Sequence, residues 1–221
     1  MNVVISLGGS LIYPRQIDYG FINKFKALVE EYLEKGFSFI IITGGGKLAR
    51  DMQKKAKNAS DEEKDWLGID ATKKNAELLK SVFREEDVHG EIINDPSKKI
   101  ETDKNIIIAS GWKPGFSTDY DAVLLAQNND AHIIINMSNI EYVYNKDPKH
   151  HKDAQPLKEI SWVDFRKLVG EGWTPGLNMP FDPVAAKHAH EHSEKIYIIG
   201  KDLDNLRNLL DKKDFKGTVI E

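Results

Sequence analysis

Short, continuously apolar runs alternate along the chain with longer segments whose apolar residues recur at helical spacing. The runs Phe39–Ile42 and Ile133–Ile135 contain no polar position, as expected for parallel strands that helices cover on both faces. The predicted strands are Val3–Leu7, Phe37–Ile42, Ile106–Ala109, His132–Asn136, Lys195–Ile199 and Thr218–Ile220. This alternation predicts an α/β fold, a three-layer α/β/α arrangement with an open, mostly parallel central sheet.

Segments with helical periodicity predict the outer layers. Apolar residues recur at helical spacing from Asp18 to Lys35, and Gly36 follows as a stop signal. The other predicted helices are about Lys47–Lys57, Asp61–Arg84, Asp119–Asn129, Ser161–Val169, Asp182–His192 and Asp202–Leu210. The polar segment Ser138–Pro156 is the longest predicted stretch without a helix. Because ligands of such folds bind beyond the carboxyl ends of the strands, this segment is a candidate binding loop.

Composition narrows the class of protein. The 221 residues include 31 Lys and Arg against 35 Asp and Glu, a net charge of -4, which lacks the basic signature of a general nucleic-acid binder. The absence of cysteine excludes disulfides, thiolate metal sites and cysteine nucleophiles. No apolar run approaches the about 20 residues that span a bilayer, and the first residues do not resemble a signal peptide. We expect one domain over residues 1–221, cytoplasmic, without nucleic-acid or membrane partners.

Three turns rich in glycine or hydroxyl groups follow predicted strands. They are Gly8 to Ser10, Gly44 to Gly46, and Gly111 through Ser117 to Asp119. Each would aim backbone N–H groups at the same edge of the sheet, which is how protein backbones bind phosphates. Any one of them could simply be a tight connection between strand and helix. Together they favour a polyanionic ligand.

Two phosphate-binding motifs can be tested against the second turn. The Walker A pattern fails because Ile41 occupies the position of its first glycine. Gly44, Gly46 and Ala49 satisfy the looser GxGxxA pattern of dinucleotide-binding proteins, with Asp65 about 20 residues further along. An NAD-dependent oxidoreductase is therefore an alternative, although it leaves the first and third turns unexplained.

Two cations abut the triple glycine. Lys47 and Arg50 lie one helical turn apart and should both point back toward the turn. Arginine suits bidentate phosphate binding, and lysine suits a point charge on the oxygens of a transferred group. The alternative is a solvated helix face that continues through Lys54, Lys55 and Lys57.

Three histidines in the C-terminal third of the chain do not indicate a metal site. His188 and His192 share a helix face, with His190 between them. No third ligand can be placed beside them, and Glu191 marks the stretch as polar surface. We therefore expect no metal site at these histidines and assign no metal ligand.

Six segments in order resemble the amino acid kinase superfamily and, within it, the uridylate (UMP) kinases of the archaeal type. They are SLGGSL at 6–11, GGGKLAR at 44–50, DWLGIDATKKNAELL at 65–79, PGFSTD at 114–119, SNIEYVYNKDP at 138–148 and NMPFDPVAAK at 178–187. The resemblance implies ATP-dependent, Mg²⁺-requiring phosphorylation of UMP to UDP by a homo-oligomer, a hexamer. Carbamate, acetylglutamate and aspartate kinases share the scaffold, so another small acceptor is the nearest alternative. A catalytically silent ligand-binding relative is a further one.

The resemblance also implies residue roles, with an acceptor-binding part at about 1–135 and an ATP-binding part at about 136–221. The implied UMP-binding residues are Gly44, Gly45, Gly46, Arg50, Asp65 and Thr118. The implied ATP-binding residues are Gly8, Gly9, Ser10, Asn139, Tyr144 and Asp147. The expected catalytic residues are Lys47, Asp119 and Asp182.

Three departures from the pattern of the superfamily affect these roles. Ser6 stands where bacterial members carry a catalytic lysine, which makes Lys47 the natural substitute. The segment Ile140–Tyr142 replaces the usual VDG of the ATP loop. Trp112 and Lys113 replace smaller or polar residues near the acceptor base, so the resemblance leaves the base preference open.

Overall fold

The computed structural model describes residues 2–170 and 179–221, and a seven-stranded sheet runs through its centre. The strands are β1 Asn2–Leu7, β2 Ser38–Thr43, β3 Ile106–Ala109, β4 Ile133–Met137, β5 Val143–Tyr144, β6 Pro156–Leu157, β7 Glu159–Ile160, β8 Ile196–Ile199 and β9 Gly217–Ile220. The large sheet has the order β3-β2-β1-β4-β8-β9-β7. Its first five strands are mutually parallel, and β9 pairs antiparallel with β8. The predicted fold class is confirmed.

Helices cover both faces of this sheet. They are α1 Gly9–Ile12, α2 Tyr19–Glu34, α3 Gly46–Lys55, α4 Asp61–Lys80, α5 Thr118–Asn128, α6 Trp162–Val169, α7 Pro183–Glu191 and α8 Leu203–Leu210. Val3, Ile5 and Leu7 of β1 belong to the core that contains α2 and α8, whereas Val4 belongs to the core that contains α5, α6 and α7. Because successive strand residues point to opposite faces, the single strand β1 contributes to both cores.

Most helices that begin near the carboxyl ends of the strands have a side-chain cap. Ser117 accepts the N–H of Tyr120 at 3.2 Å at the start of α5, and Asp182 accepts the N–H of Ala185 at 2.7 Å at the start of α7. Helix α3 begins instead at Gly46 with no side-chain cap and no acidic residue in its first turn. Its free N–H groups and positive dipole end remain available to an anion.

Several details differ from the sequence prediction. Helix α4 ends at Lys80 rather than Arg84, and the one-turn helix α1 was predicted as a turn. The polar segment Ser138–Pro156 contains β5, which pairs antiparallel with β6 to form a small second sheet. Asn178 of the last resembling segment lies outside the described residues. Within residues 2–170 and 179–221, no helix is long and apolar enough to cross a membrane.

Candidate active site

Backbone contact between the turns after β1 and β2 forms the centre of the candidate site. The Gly8 N–H donates to the Met137 carbonyl oxygen at 2.8 Å, and the Gly44 N–H donates to that of Leu7 at 2.9 Å. A Cβ on Gly9 would lie 2.1 Å from the Gly44 carbonyl oxygen. Because no side chain can fit between the two turns, a phosphate group can approach their backbone N–H groups closely.

Gly46 has a different reason to be glycine. Its φ is +55°, and a Cβ there would lie 2.3 Å from the Ser10 nitrogen. Both the left-handed backbone and the close approach therefore require glycine at the first position of α3. The side chain of Asn75 in α4 fixes the same turn by donating to the Gly44 carbonyl oxygen at 2.8 Å.

The two cations of α3 have different surroundings. The Lys47 ammonium contacts the Asp51 carboxylate one turn along the helix, and this hydrogen bond lowers the pKa of Asp51. The Arg50 guanidinium donates to the Ser10 hydroxyl oxygen at 3.1 Å. Arg50 thus joins the acceptor turn predicted from the sequence to the predicted ATP turn.

A cavity of about 210 Å³ lies where these elements meet. Its lining includes Ser10, Arg50, Asn139 and Lys201. The structure therefore brings together three residues predicted from the sequence and one that sequence reasoning missed. The available signal was the position of Lys201 two residues after the end of β8, because the carboxyl ends of parallel strands share one edge of the sheet.

A group of polar side chains lies beneath the turns, around Asp119. Ser6 and Asn136 donate to its Oδ1 at 3.1 and 2.7 Å, and the Asp182 backbone N–H donates to its Oδ2 at 3.2 Å. Burial, together with the negative charge of Asp182, raises the pKa of Asp119 to about 7. Burial also raises the pKa of Asp182. The structure thus places two of the three predicted catalytic residues side by side, and Ser6 orients one of them.

Asp65 lies against the third turn. Its Oδ2 accepts the Gly115 N–H at 2.9 Å, so α4 is tied to the segment that follows β3. Thr118, the first residue of α5, lies half-buried next to Asp119. The structure therefore places Asp65 beside the loop that leads into Thr118.

Tyr144 and Asp147 belong to the small hairpin rather than to the large sheet. Tyr144 lies in β5, where its ring meets that of Tyr142 edge-on with centroids 6.4 Å apart. Asp147 is exposed, and its Oδ1 accepts the Lys149 N–H at 2.8 Å. The predicted nucleoside-binding residues of the ATP part therefore stand on a separate element beyond β4.

Sequence reasoning missed the buried carboxyl of Asp121. Its side chain is 0% exposed, and its Oδ2 accepts the Trp112 N–H at 3.1 Å. Burial raises the pKa of Asp121 to about 8. The available signal was a charged residue four positions before the buried Leu125, on a helix face that otherwise points into the core.

The side chains of His188, His190 and His192 on α7 and at its end contact protein groups. The His188 Nε2 lies 3.0 Å from the Gln127 Oε1, and the His192 Nδ1 lies 2.9 Å from the His188 carbonyl oxygen. Burial lowers the pKa of His188. Among the residues that the structure describes, no group of three or more histidine and carboxylate side chains could hold a metal ion.

Comparisons with known proteins show the family and support the fold. Over its full length the chain is 33% identical to a uridylate kinase of Pyrococcus abyssi and 31% identical to one of Archaeoglobus fulgidus, with 100% of each chain covered. The crystal structure of uridylate kinase from Archaeoglobus fulgidus superposes with a TM-score of 0.85 at 30% identity and 100% coverage of both chains. That of UMP kinase from Bacillus anthracis gives a TM-score of 0.80 at 18% identity, covering 100% of this chain and 95% of the other, a likeness of fold alone. The sequence pattern of the amino acid kinase family matches residues 1–200, and the chain belongs to that family.

Proposed function

We propose that the chain is a uridylate kinase, which transfers the γ-phosphoryl group of ATP to UMP and releases UDP and ADP. The observation that carries this proposal is the direct backbone contact between Gly9 and Gly44. Two phosphate-binding turns in contact serve a reaction that joins two phosphates. The full-length similarity to archaeal uridylate kinases supports UMP as the acceptor.

The two substrates would share one domain. We assign the acceptor to residues of about 1–135 and ATP to about 136–221, with the phosphate chain of ATP extending to Gly8, Gly9 and Ser10. The UMP phosphate would lie at Gly44 to Gly46 with Arg50 and Thr118, and its ribose at Asp65. Asn139, Tyr144 and Asp147 would hold the rest of ATP. In support, the cavity lined by Ser10, Arg50 and Asn139 lies between the two proposed regions.

The reaction needs little proton transfer. The second pKa of a phosphate monoester is about 6, so UMP arrives largely deprotonated and its phosphate oxygen can attack the γ-phosphorus directly. The new P–O bond forms as the bond to the β-phosphate oxygen breaks, and ADP leaves. The protein must therefore position the groups and neutralise charge, which the uncapped start of α3, Lys47 and Arg50 are suited to do.

Mg²⁺ fits the chemistry of the site. This ion is usually held by one or two carboxylates together with substrate phosphates. The Asp119 carboxylate accepts the Asp182 backbone N–H, and the negative charge of Asp182 acts on it. Burial and a neighbouring negative charge raise the pKa of Asp119, and a bound cation would oppose that rise because it favours the ionised carboxylate. Asp119 and Asp182 would hold Mg²⁺, which when bound neutralises charge on the ATP phosphates.

A coupled ADP-release assay tests the proposed function. With ATP and Mg²⁺ we expect turnover of UMP at least about tenfold more efficient than that of CMP, dUMP, carbamate, acetylglutamate or aspartate, a difference of about 1.4 kcal/mol. Reactions without acceptor, and reactions with EDTA, are the controls. Turnover of another acceptor would move the chain to a different kinase of the family. No ADP release with any acceptor, together with NADH binding, would favour the oxidoreductase alternative.

We also propose a cytoplasmic homohexamer. The support is the similarity to uridylate kinases over the whole chain, because the resemblance to that family implies a hexamer. Light scattering on a sizing column should give a particle of six times the 25.1 kDa chain mass. A monomer or a dimer at micromolar concentration would contradict the proposed assembly without touching the proposed reaction.

A further inference from the structure

Two carboxylates on different helices hold the loop that follows β3, residues Trp112–Phe116, which we name the acceptor loop. Asp121 of α5 accepts the Trp112 N–H at 3.1 Å, and Asp65 of α4 accepts the Gly115 N–H at 2.9 Å. Strand β3 is the edge strand of the large sheet. The acceptor loop therefore borders the acceptor part of the site on its outer side.

Asp121 is an unfavourable residue for the core in which it lies. Its side chain is 0% exposed, and its Oδ1 has no hydrogen-bond partner in the part of the chain that the structure describes. Its neighbours Ala122, Val123 and Leu125 are fully buried, and the nearby Asp119 and Asp182 add negative charge. A buried carboxyl with an unpartnered oxygen costs stability, and apolar residues of similar size commonly replace such groups without loss. Packing alone does not explain an aspartate here.

The Asp121 carboxyl accepts the Trp112 N–H, which an apolar side chain cannot do. This contact orients more than one residue, because the Trp112 and Phe116 rings pack with centroids 5.2 Å apart. The Lys113 ammonium lies 3.7 Å from the centroid of the Trp112 ring. The acceptor loop is thus one packed cluster whose orientation depends on the backbone at Trp112.

We propose that Asp121 is a positioning residue for the acceptor: through the Trp112 N–H it fixes the acceptor loop where the base of the nucleoside monophosphate arrives. This inference rests on the proposed function. With the acceptor phosphate at the triple glycine and its ribose at Asp65, the base extends toward the loop that Asp65 also contacts. Asp121 itself is buried behind the acceptor loop and acts through it.

Two substitutions separate positioning from a structural role. Asp121→Leu removes the acceptor for the Trp112 N–H, whereas Asp121→Asn retains an oxygen that can accept it. For the leucine variant we expect the KM for UMP to rise about tenfold or more and the KM for ATP to change less than about twofold. The thermal midpoint should be unchanged or higher, because the uncompensated carboxyl is gone. The asparagine variant should keep its KM for UMP within about threefold of the wild type.

Hydrogen exchange gives a readout that does not depend on catalysis. Peptides that cover residues 111–117 should exchange faster in Asp121→Leu than in the wild type, and those that cover β1 should not change. Should the leucine variant fail to fold, Asp121→Val gives the same comparison with a smaller side chain.

An unchanged KM for UMP with unchanged exchange in the acceptor loop would overturn the inference. So would a lower thermal midpoint with parallel changes in kcat and both KM values, since that is the result of a structural role. If the wild type itself did not phosphorylate UMP, the proposed function would fall. Unaltered hydrogen exchange of the acceptor loop in Asp121→Leu would then still refute the proposal that Asp121 fixes this loop.

Discussion

At the scale of single residues, Arg50 lies between the turns proposed to hold the two phosphates. Its guanidinium contacts Ser10 and lines the same cavity as Asn139. Replacing it with alanine would remove the proposed charge-assisted, bidentate contact with the UMP phosphate, so we expect Arg50→Ala to weaken UMP binding by about 1.5 to 3 kcal/mol. Arg50→Lys should recover only part of this loss because an ammonium cannot match the fork of a guanidinium. Calorimetric titration with UMP measures both.

The control for Arg50 is Lys54→Ala on the same helix, where an exposed lysine is removed. That variant should bind UMP as the wild type does. Normal UMP affinity in Arg50→Ala, with ATP binding weakened instead, would assign the guanidinium to the donor nucleotide.

Lys47 presents a different case because its ammonium is paired with the Asp51 carboxylate on the same helix. An ammonium that reaches the transferred phosphoryl group only in the transition state contributes to kcat rather than to binding. We therefore expect Lys47→Met to lower kcat roughly 10²-fold, with little change in either KM. Steady-state kinetics with both substrates varied measure this.

Lys55→Met, at the exposed end of the same helix, is the matched control for Lys47 and should behave as the wild type. Should Lys47→Met keep a near-normal kcat while Lys187→Met abolishes it, the catalytic lysine would lie on α7 rather than on α3.

The sequence alone indicates those candidate site residues whose signal is local. Lys47 and Arg50 follow the triple glycine at helical spacing. Asp119 stands at the end of the turn that follows the predicted strand Ile106–Ala109. The contact between Asp65 and Gly115, in contrast, joins residues fifty positions apart. No periodicity encodes such a contact, because it depends on how α4 packs beside the connection after β3.

At the scale of elements, the contact between the turns after β1 and β2 leaves no room for a side chain at Gly9. A Cβ on Gly9 would meet the Gly44 carbonyl oxygen at 2.1 Å, so one turn must move. We expect Gly9→Ala to lower kcat/KM roughly 10²-fold or more, because displaced phosphate sites misplace the reacting atoms. Activity assays, with circular dichroism to verify folding, test this.

Gly90→Ala is the control for that substitution. Gly90 is exposed, and a Cβ there has no neighbour within 4 Å. If Gly9→Ala retained wild-type kcat/KM, the close approach of the two turns would have no role in catalysis.

The elements predicted well are those long enough to show a pattern. The six-residue runs of β1 and β2 are continuously buried after their first residue, so they were visible as apolar runs. Strands β5, β6 and β7 have two residues each, which is too few for any period. The one-turn helix α1 begins at a glycine, a residue that favours turns in sequence analysis.

At the scale of the whole molecule, the core that contains α5 and α7 holds buried carboxyl groups. Burial raises the pKa of Asp121 to about 8 and, together with the charge of Asp182, that of Asp119 to about 7. The unfolded chain binds fewer protons than the folded one between pH 4 and pH 8, so stability falls as the pH rises through this range. Urea unfolding in EDTA at pH 5 and pH 8 should show this loss.

The variant Asp121→Asn cannot titrate and isolates one contribution to that slope. We expect its stability difference between pH 5 and pH 8 to be smaller than that of the wild type by about 2 to 4 kcal/mol. Equal slopes in the two proteins would mean that Asp121 is ionised in the fold at neutral pH.

The strand order places β1 between β2 and β4, and this position has a kinetic consequence. The turns that follow β1 and β2 are in direct backbone contact, so we expect donor and acceptor to be bound together before the phosphoryl group moves. A ternary complex is then the reacting species, and initial-rate lines for the two nucleotides should intersect rather than run parallel. Since the group passes in one displacement, the stereochemistry at phosphorus should invert.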